Sequence, residues 1–165
     1  MLSIRPAEPA DLPAVAAIYG HYATESLVTF DEAPLPLDAW QTRLADLRER
    51  GLPFLVGEAD GTVAGYAFAG PWKPKPAYRH TVENSVYLAP PWAGRGFGTQ
   101  LLQALLDECA QAGLHQVIAV ITDTGSDASA ALHRRLGFTE AGRLTGVGFK
   151  HGRWIDTVLM QRALS

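Results

Sequence analysis

Apolar and polar positions recur at two periods along this chain, and the points where the period changes mark its elements. Residues 2–5 read as a short strand. Beyond Pro9-Ala10-Asp11, the residues Leu12, Val15, Ile18, Tyr19 and Tyr22 recur at helical spacing, which predicts an amphipathic helix opened by its proline. The stretch 26–36 has no period and is expected to be a loop, with Thr29-Phe30-Asp31 inside it. A second helix is expected over 37–50, stopped by Gly51. Residues 54–58 and 62–69 flank Asp60-Gly61, a strong hairpin signal. A loop punctuated by prolines follows at 70–76, then a strand over 81–88 and a long helix over 97–112 ended by Gly113. Residues 116–122 are apolar on both parities, which predicts a strand buried on both faces. A helix over 126–136, capped by Ser126 or Asp127, leads into strands at 138–147 and 154–161 that turn at Lys150-His151-Gly152-Arg153.

The order βααββ, βαβα, ββ is that of an α/β fold with a mixed sheet and helices on both faces. No linker, repeat or low-complexity segment interrupts it, and 165 residues are most economically one domain, 1–165. Composition adds limits: 47% hydrophobic and 19% charged residues suit a globular chain, and a net charge of −3 argues against nucleic acid. No apolar run approaches a membrane span, and Met1-Leu2-Ser3-Ile4-Arg5-Pro6 lacks the apolar stretch of a signal peptide. The single Cys109 falls in register with Leu101, Leu102, Leu105 and Leu106, so a buried, inert thiol is expected. A cytoplasmic enzyme or binding domain fits these features.

The most informative segment is 83–102. Its strand ends at Pro90-Pro91 and runs through Gly94-Arg95-Gly96-Phe97-Gly98 into a helix. Such a turn leaves amides unpaired at the positive end of a helix dipole, a site for phosphate. No lysine follows Gly98, which rules out a P-loop. A dinucleotide site needs different glycine spacing, although Asp123 could imitate its ribose-binding acid. The turn resembles the pyrophosphate loop of the acetyl-CoA-dependent N-acetyltransferases in that loop's second half, at Gly96-Phe97-Gly98. A turn that uses glycine only for its backbone freedom also accounts for the pattern.

Within the preceding strand, Thr81, Glu83, Ser85 and Tyr87 share one face, and Val82, Asn84, Val86 and Leu88 the other. A carboxylate in a central strand is economical where that face opens on a cleft. Without the glycine turn beside it, an edge-exposed or salt-bridged carboxylate would be the simpler account of Glu83. The step from Glu83 to Leu88 spans about 17 Å, the reach of a pantetheine arm. Pro90 and Pro91 cannot donate ladder hydrogen bonds, so pairing is expected to fail there and leave a slot that an amide-rich arm could enter.

Six segments together resemble one family: Thr29-Phe30-Asp31; Gly70-Pro71-Trp72-Lys73; 78–88; Gly96-Phe97-Gly98; Leu132-His133-Arg134-Arg135-Leu136-Gly137-Phe138; and Gly148-Phe149-Lys150-His151-Gly152-Arg153-Trp154. The chain resembles the GCN5-related N-acetyltransferases, in their phosphinothricin and methionine sulfone (sulfoximine) acetyltransferase branch. The resemblance implies an acetyl-CoA N-acyltransferase (GNAT) fold, with a mixed, mostly antiparallel sheet and splayed central strands. It implies transfer of acetyl from acetyl-CoA to the amino group of a small amino-acid analogue, with no metal, in a homodimer. Glu83 sits at the family's base position, and an ammonium must lose a proton before it attacks a thioester. His133 stands near the expected sulfur position, to protonate the leaving thiolate or help deprotonate the amine.

By the same resemblance, Val86, Tyr87, Leu88, Gly94, Arg95, Gly96, Phe97, Gly98, Thr99 and Ser126 would hold the cofactor. Phe30, Trp72, Lys73, Glu83, Asn84 and Ser85 would hold the substrate, with Lys73 as a counter-charge for its anion. Lys150, Arg153 and Trp154 are expected to shape a turn or a subunit contact. The chain departs from the family at Ala93, where a Gln or Arg is usual, at Ser126, where an Asn is common, and at Pro90-Pro91-Trp92. Three other readings remain: an acetyltransferase for another amine such as a protein N-terminus, an acyl-CoA-binding module without turnover, and a nucleotide-binding protein that depends on Asp123.

Overall fold

The structure is a computed structural model that describes residues 1–164. The chain runs β1 (Ser3–Pro6), α1 (Leu12–Glu25), α2 (Leu37–Glu49), β2 (Phe54–Ala59), β3 (Thr62–Pro71), β4 (Thr81–Leu88), α3 (Phe97–Gln111), β5 (Gln116–Thr122), α4 (Ala128–Arg135), β6 (Thr139–Lys150) and β7 (Arg153–Ala163). Among the described residues, seven strands form a sheet in the order β1-β2-β3-β4-β5-β7-β6. Neighbours are antiparallel except for β4 and β5, which are parallel. The β2–β3 hairpin turns at Asp60-Gly61, both with positive φ (51° and 75°), the backbone that a two-residue turn between twisted strands requires.

Each face of the sheet carries its own apolar layer. On one, Leu101, Leu102, Leu105, Leu106 and Cys109 of α3 pack on Ala67, Ala69, Val82 and Val117, and Leu132 and Leu136 join them. Burial pushes the Cys109 thiol up to about 12, so it is inert at neutral pH. On the other, Leu12, Val15, Ile18 and Tyr19 of α1 and Trp40, Leu44 and Leu47 of α2 close over Phe54, Val56, Tyr66 and Phe68. Trp40 is the hub of that layer, with its ring edge-on to Tyr19, Phe54, Tyr66 and Phe68.

Two expectations are corrected. β5 is not buried on both faces: Val117 and Ala119 are buried beneath the α3 layer, but Val120 on the reverse is 40% exposed. The reason is that α1 and α2 pack over β2, β3 and β4 and do not reach β5. Nor do Pro90 and Pro91 part the strands. Pairing of β4 with β5 ends at Glu83↔Ile118, well before the prolines, whereas its pairing with β3 continues to Gly65↔Leu88. β5 keeps register with β7 along its whole length, to Thr122↔Thr157. Each strand follows its other neighbour, and the twist of the sheet carries the two apart.

The β3–β4 pair is set close beneath α3. A Cβ on Gly65 would lie 2.6 Å from Leu88 Cδ2 and 2.7 Å from the Tyr87 carbonyl oxygen. Gly65→Ala is therefore expected to cost about 1–3 kcal/mol of stability. A urea-denaturation midpoint equal to that of the parent chain would contradict that packing.

Candidate active site

The parting of β4 from β5 opens a cleft of about 980 Å³. Residues 83–88 form one wall and 119–122 the other; Tyr19 and Tyr22 of α1, Thr29 and Phe30 of the following loop, and Ser129, Leu132 and His133 of α4 are among the other residues that line it. Beyond the last paired residues, the backbone groups of β4 and β5 that face the gap have no strand opposite them. Such groups pair with water or with an extended ligand carrying amides of its own.

At the far end of β4, Pro90–Trp92 forms a single 3₁₀ turn before the glycine loop. Gly96 is the residue that caps α3, with φ of 79°, and it offers no side chain to the first amides. The first intrahelical bond is made by Gln100 N–H to the Gly96 carbonyl at 3.3 Å. The amides of Phe97, Gly98 and Thr99 therefore point out of the helix at its positive end. Gly94, Arg95 and Gly96 are exposed. The Arg95 guanidinium lies 4.8 Å from the centre of the Trp92 ring, which stacks on Phe97 at 5.8 Å. Val86 and Leu88 turn toward the α3 layer and Tyr87 toward the α1 layer. Ser126 lines the cleft, and its Oγ accepts the Ala128 amide at 3.3 Å, while Asp127 stands at the cap position of α4.

Parity in β4 divides the polar groups between the two faces. Glu83 and Ser85 face the α1 side of the cleft, half-buried. Burial raises the Glu83 carboxyl above its ordinary value, outweighing the opposing charge of Lys73. The Lys73 ammonium stands 4.7 Å over the Trp72 ring. Gly70 and Pro71 line the cleft, and Trp72 and Lys73 follow just past its rim.

Asn84 is buried and turns to the opposite face, where its Nδ2 meets His133 Nε2 at 3.1 Å. His133, only 4% exposed, places Nδ1 2.7 Å from the Ser129 carbonyl. A carbonyl only accepts and an amide nitrogen only donates, so Nδ1 carries the proton and Nε2 is the acceptor. The ring is thus a neutral imidazole, and burial lowers its pKa. Asn84 Oδ1 is buried and has no partner among the described residues.

Sequence periodicity assigned Tyr19 and Tyr22 to a packing face, yet both line the cleft. Tyr22 Oη donates to the Leu88 carbonyl at 2.5 Å, and Tyr19 Oη bonds Thr29 Oγ1 at 2.7 Å. A hydroxyl on an otherwise apolar helical stripe was the available signal. Asp123, the acid on which a nucleotide reading depends, is tied up at the surface by Arg143 at 2.9 Å and by the Gly125 amide. Among the described residues no group of three or more His, Cys, Asp or Glu is placed to hold a metal ion.

The chain matches the model of the Acetyltransferase (GNAT) family over residues 15–138. It is 45% identical over 163 residues to the phosphinothricin N-acetyltransferase of Alcaligenes faecalis, covering 99% of this chain and 83% of that protein. It is 43% identical over 160 residues to the L-methionine sulfoximine/L-methionine sulfone acetyltransferase of Pseudomonas aeruginosa, covering 96% of this chain and 92% of that one. Among solved structures, a GNAT superfamily phosphinothricin acetyltransferase from Sinorhizobium meliloti in complex with AcCoA superposes with a TM-score of 0.95 at 39% identity, covering 99% of this chain and 89% of that one.

Because the folded-state pKa of His133 is depressed, its contribution to stability is complete above about pH 6.5, the unfolded value, and is lost as pH falls below it. Between pH 7 and pH 5 the parent chain should therefore lose more stability in urea melts than His133→Gln. Equal losses would show that the imidazole is not held neutral.

Proposed function

The chain belongs to the acetyltransferase (GNAT) family, and from that premise we propose that it acetylates the amino group of a small amino-acid analogue of the phosphinothricin, methionine sulfoximine or methionine sulfone type. The observation that carries this reading is a carboxyl raised by burial on the wall of a gap between strands, with uncapped helix amides following the far end of the same strand. We read residues 1–165 as one N-acetyltransferase domain.

The cleft fits acetyl-CoA by the character of its donors. The amides of 97–99, with the exposed glycine turn at 94–96, suit a diphosphate. The gap along Val86, Tyr87 and Leu88 suits an arm of amides, with Ser126 across from it. Arg95, exposed and set against the Trp92 ring, can supply positive charge where Ala93 supplies none. When bound, acetyl-CoA supplies an acyl group activated as a thioester.

Glu83 is the base in this reading. Its raised pKa makes the carboxylate a better acceptor for the proton that the ammonium must lose, directly or through water. His133 is held neutral with both ring nitrogens engaged, Nδ1–H on the Ser129 carbonyl and Nε2 on Asn84, so it takes or gives a proton only when an arriving ligand displaces Asn84. Asn84 meets His133 on the reverse of the strand, so its side chain acts through the imidazole. Ser85 and Phe30 wall the amine pocket, and Lys73, already close enough to bear on Glu83, stands at the rim to face the substrate's anion.

We also assign the protein to a homodimer and to the cytoplasm, where an acetyl-CoA pool is available. Support for the dimer lies on the β6–β7 hairpin, which exposes Leu144, Val147, Phe149 and Trp154, the last at 73%. Phe149 and Trp154 pack on each other 4.8 Å apart, an apolar patch of the kind that marks interfaces. No helix among the described residues is long and apolar enough to cross a membrane.

Thiol release from acetyl-CoA, with mass spectrometry of the product, should detect acetylation of phosphinothricin, methionine sulfoximine or methionine sulfone. No release with any of the three would refute the substrate class. Glu83→Gln is expected to lower kcat by about 10²-fold with coenzyme A affinity retained. An unchanged rate at neutral pH would remove Glu83 as the base. In analytical ultracentrifugation the parent chain should sediment as a dimer and Trp154→Asp as a monomer. A monomeric parent would rule out the dimer.

A further inference from the structure

The segment Gly148-Phe149-Lys150 takes no part in the chemistry above, yet Lys150 is 1% exposed, among the most deeply buried large side chains. An ammonium is removed from water only where acceptors replace it. Here Nζ donates to two backbone carbonyls of the loop after α1, Thr29 O at 2.8 Å and Asp31 O at 2.6 Å. Desolvation lowers the Lys150 pKa, and the nearby charges of Glu32 and Asp31 act against that.

Two residues earlier on β6, and therefore on the same face, Gly148 lies against the ring of Phe30. A Cβ built on Gly148 would overlap Cζ, Cε1 and Cε2 of that ring, so the ring occupies the space a side chain would need. Phe149, between them, is exposed on the other side. From α1, Tyr19 Oη holds Thr29 Oγ1 at 2.7 Å and also bonds the Asp31 carboxylate. Thr29, Phe30 and Asp31 are thus each fixed from β6, and the ring of Phe30 lines the same cleft as Glu83 and Ser85.

We propose that Gly148 and Lys150 are specificity-determining residues of the amine site: through Phe30 and the two loop carbonyls, they set the width of the cleft beside Glu83 and so the size of the amine's side chain. The inference rests on the reading of this cleft as the amine site. The backbone of β6 stands on one side of the ring and the cleft on another, so a new Cβ on Gly148 pushes the ring away from β6 and toward the cleft it lines. Gly148→Ala therefore narrows the pocket. Loss of the ammonium frees two carbonyls and loosens the same wall.

The test is kcat/KM by thiol release for alanine, 2-aminobutyrate and methionine sulfone, with the parent, Gly148→Ala, Phe30→Ala and the double variant. Gly148→Ala should lower kcat/KM for methionine sulfone about tenfold more than for alanine, chiefly through KM, with the KM for acetyl-CoA unchanged. Phe30→Ala alone should move the ratio the other way, and in its background Gly148→Ala should change the ratio no further. Lys150→Met should raise the amine KM by about tenfold, again without changing that for acetyl-CoA. An unmoved size ratio in Gly148→Ala, or a shift that persists in the Phe30→Ala background, would overturn the inference while leaving the enzyme active. A parent chain that released no thiol with any amine would instead overturn the reading of the amine site, and this inference with it.

Discussion

The parting of two parallel strands is the constraint on which the rest of the molecule depends. β4 and β5 share three registered pairs and then diverge, because each stays bonded to its other neighbour over its full length. Backbone donors and acceptors facing a gap inside a sheet must be satisfied by something other than a strand. Water can do this, and so can an extended chain of amides. The fold therefore carries a gap within the sheet, with Glu83 on its wall at one end and, at the other, Leu88, against which Gly98 of α3 lies.

The slot also joins the two faces of the sheet. Glu83 looks toward α1, and its strand neighbour Asn84 looks toward α4 and His133. One cause, removal from water, acts on both titratable groups, and it favours the neutral form of each. For the carboxyl this raises basicity; for the imidazole it preserves an acceptor nitrogen at neutral pH. Neither shift depends mainly on a charged partner, so both belong to the shape of the cleft more than to any single ion pair.

The loop after α1 closes one side of that cleft, and it does so with little secondary structure of its own. Its order comes from outside: two carbonyls on a buried ammonium, a threonine hydroxyl on a tyrosine, and a phenylalanine ring seated on a glycine. The same β-hairpin that supplies the ammonium and the glycine presents Phe149 and Trp154 outward. Within β6, Gly148 and Lys150 meet the loop with one parity and Phe149 adds to the apolar surface with the other, as the two-residue repeat of β structure dictates.

Local chemistry was legible without any structure. The helical period of Leu12 to Tyr22, the Asp60-Gly61 turn, the polar parity of Glu83 and Ser85, and the glycines before Phe97 each act over a few residues, and the structure places them where the pattern implied. The burial of Cys109 followed from its register with four leucines. What no local pattern could decide was which elements lie beside each other. Val120 is exposed because α1 and α2 end short of β5, and the gap opens at Asn84 because of partners on either side, not because of Pro90. The hydroxyls of Tyr19 and Tyr22, the amide of Asn84 and the ammonium of Lys150 have residue identities that any reader of the chain can see. Their roles depend on groups 10 to 121 positions away in the chain. Periodicity reports the face a residue belongs to; only packing reports what that face meets.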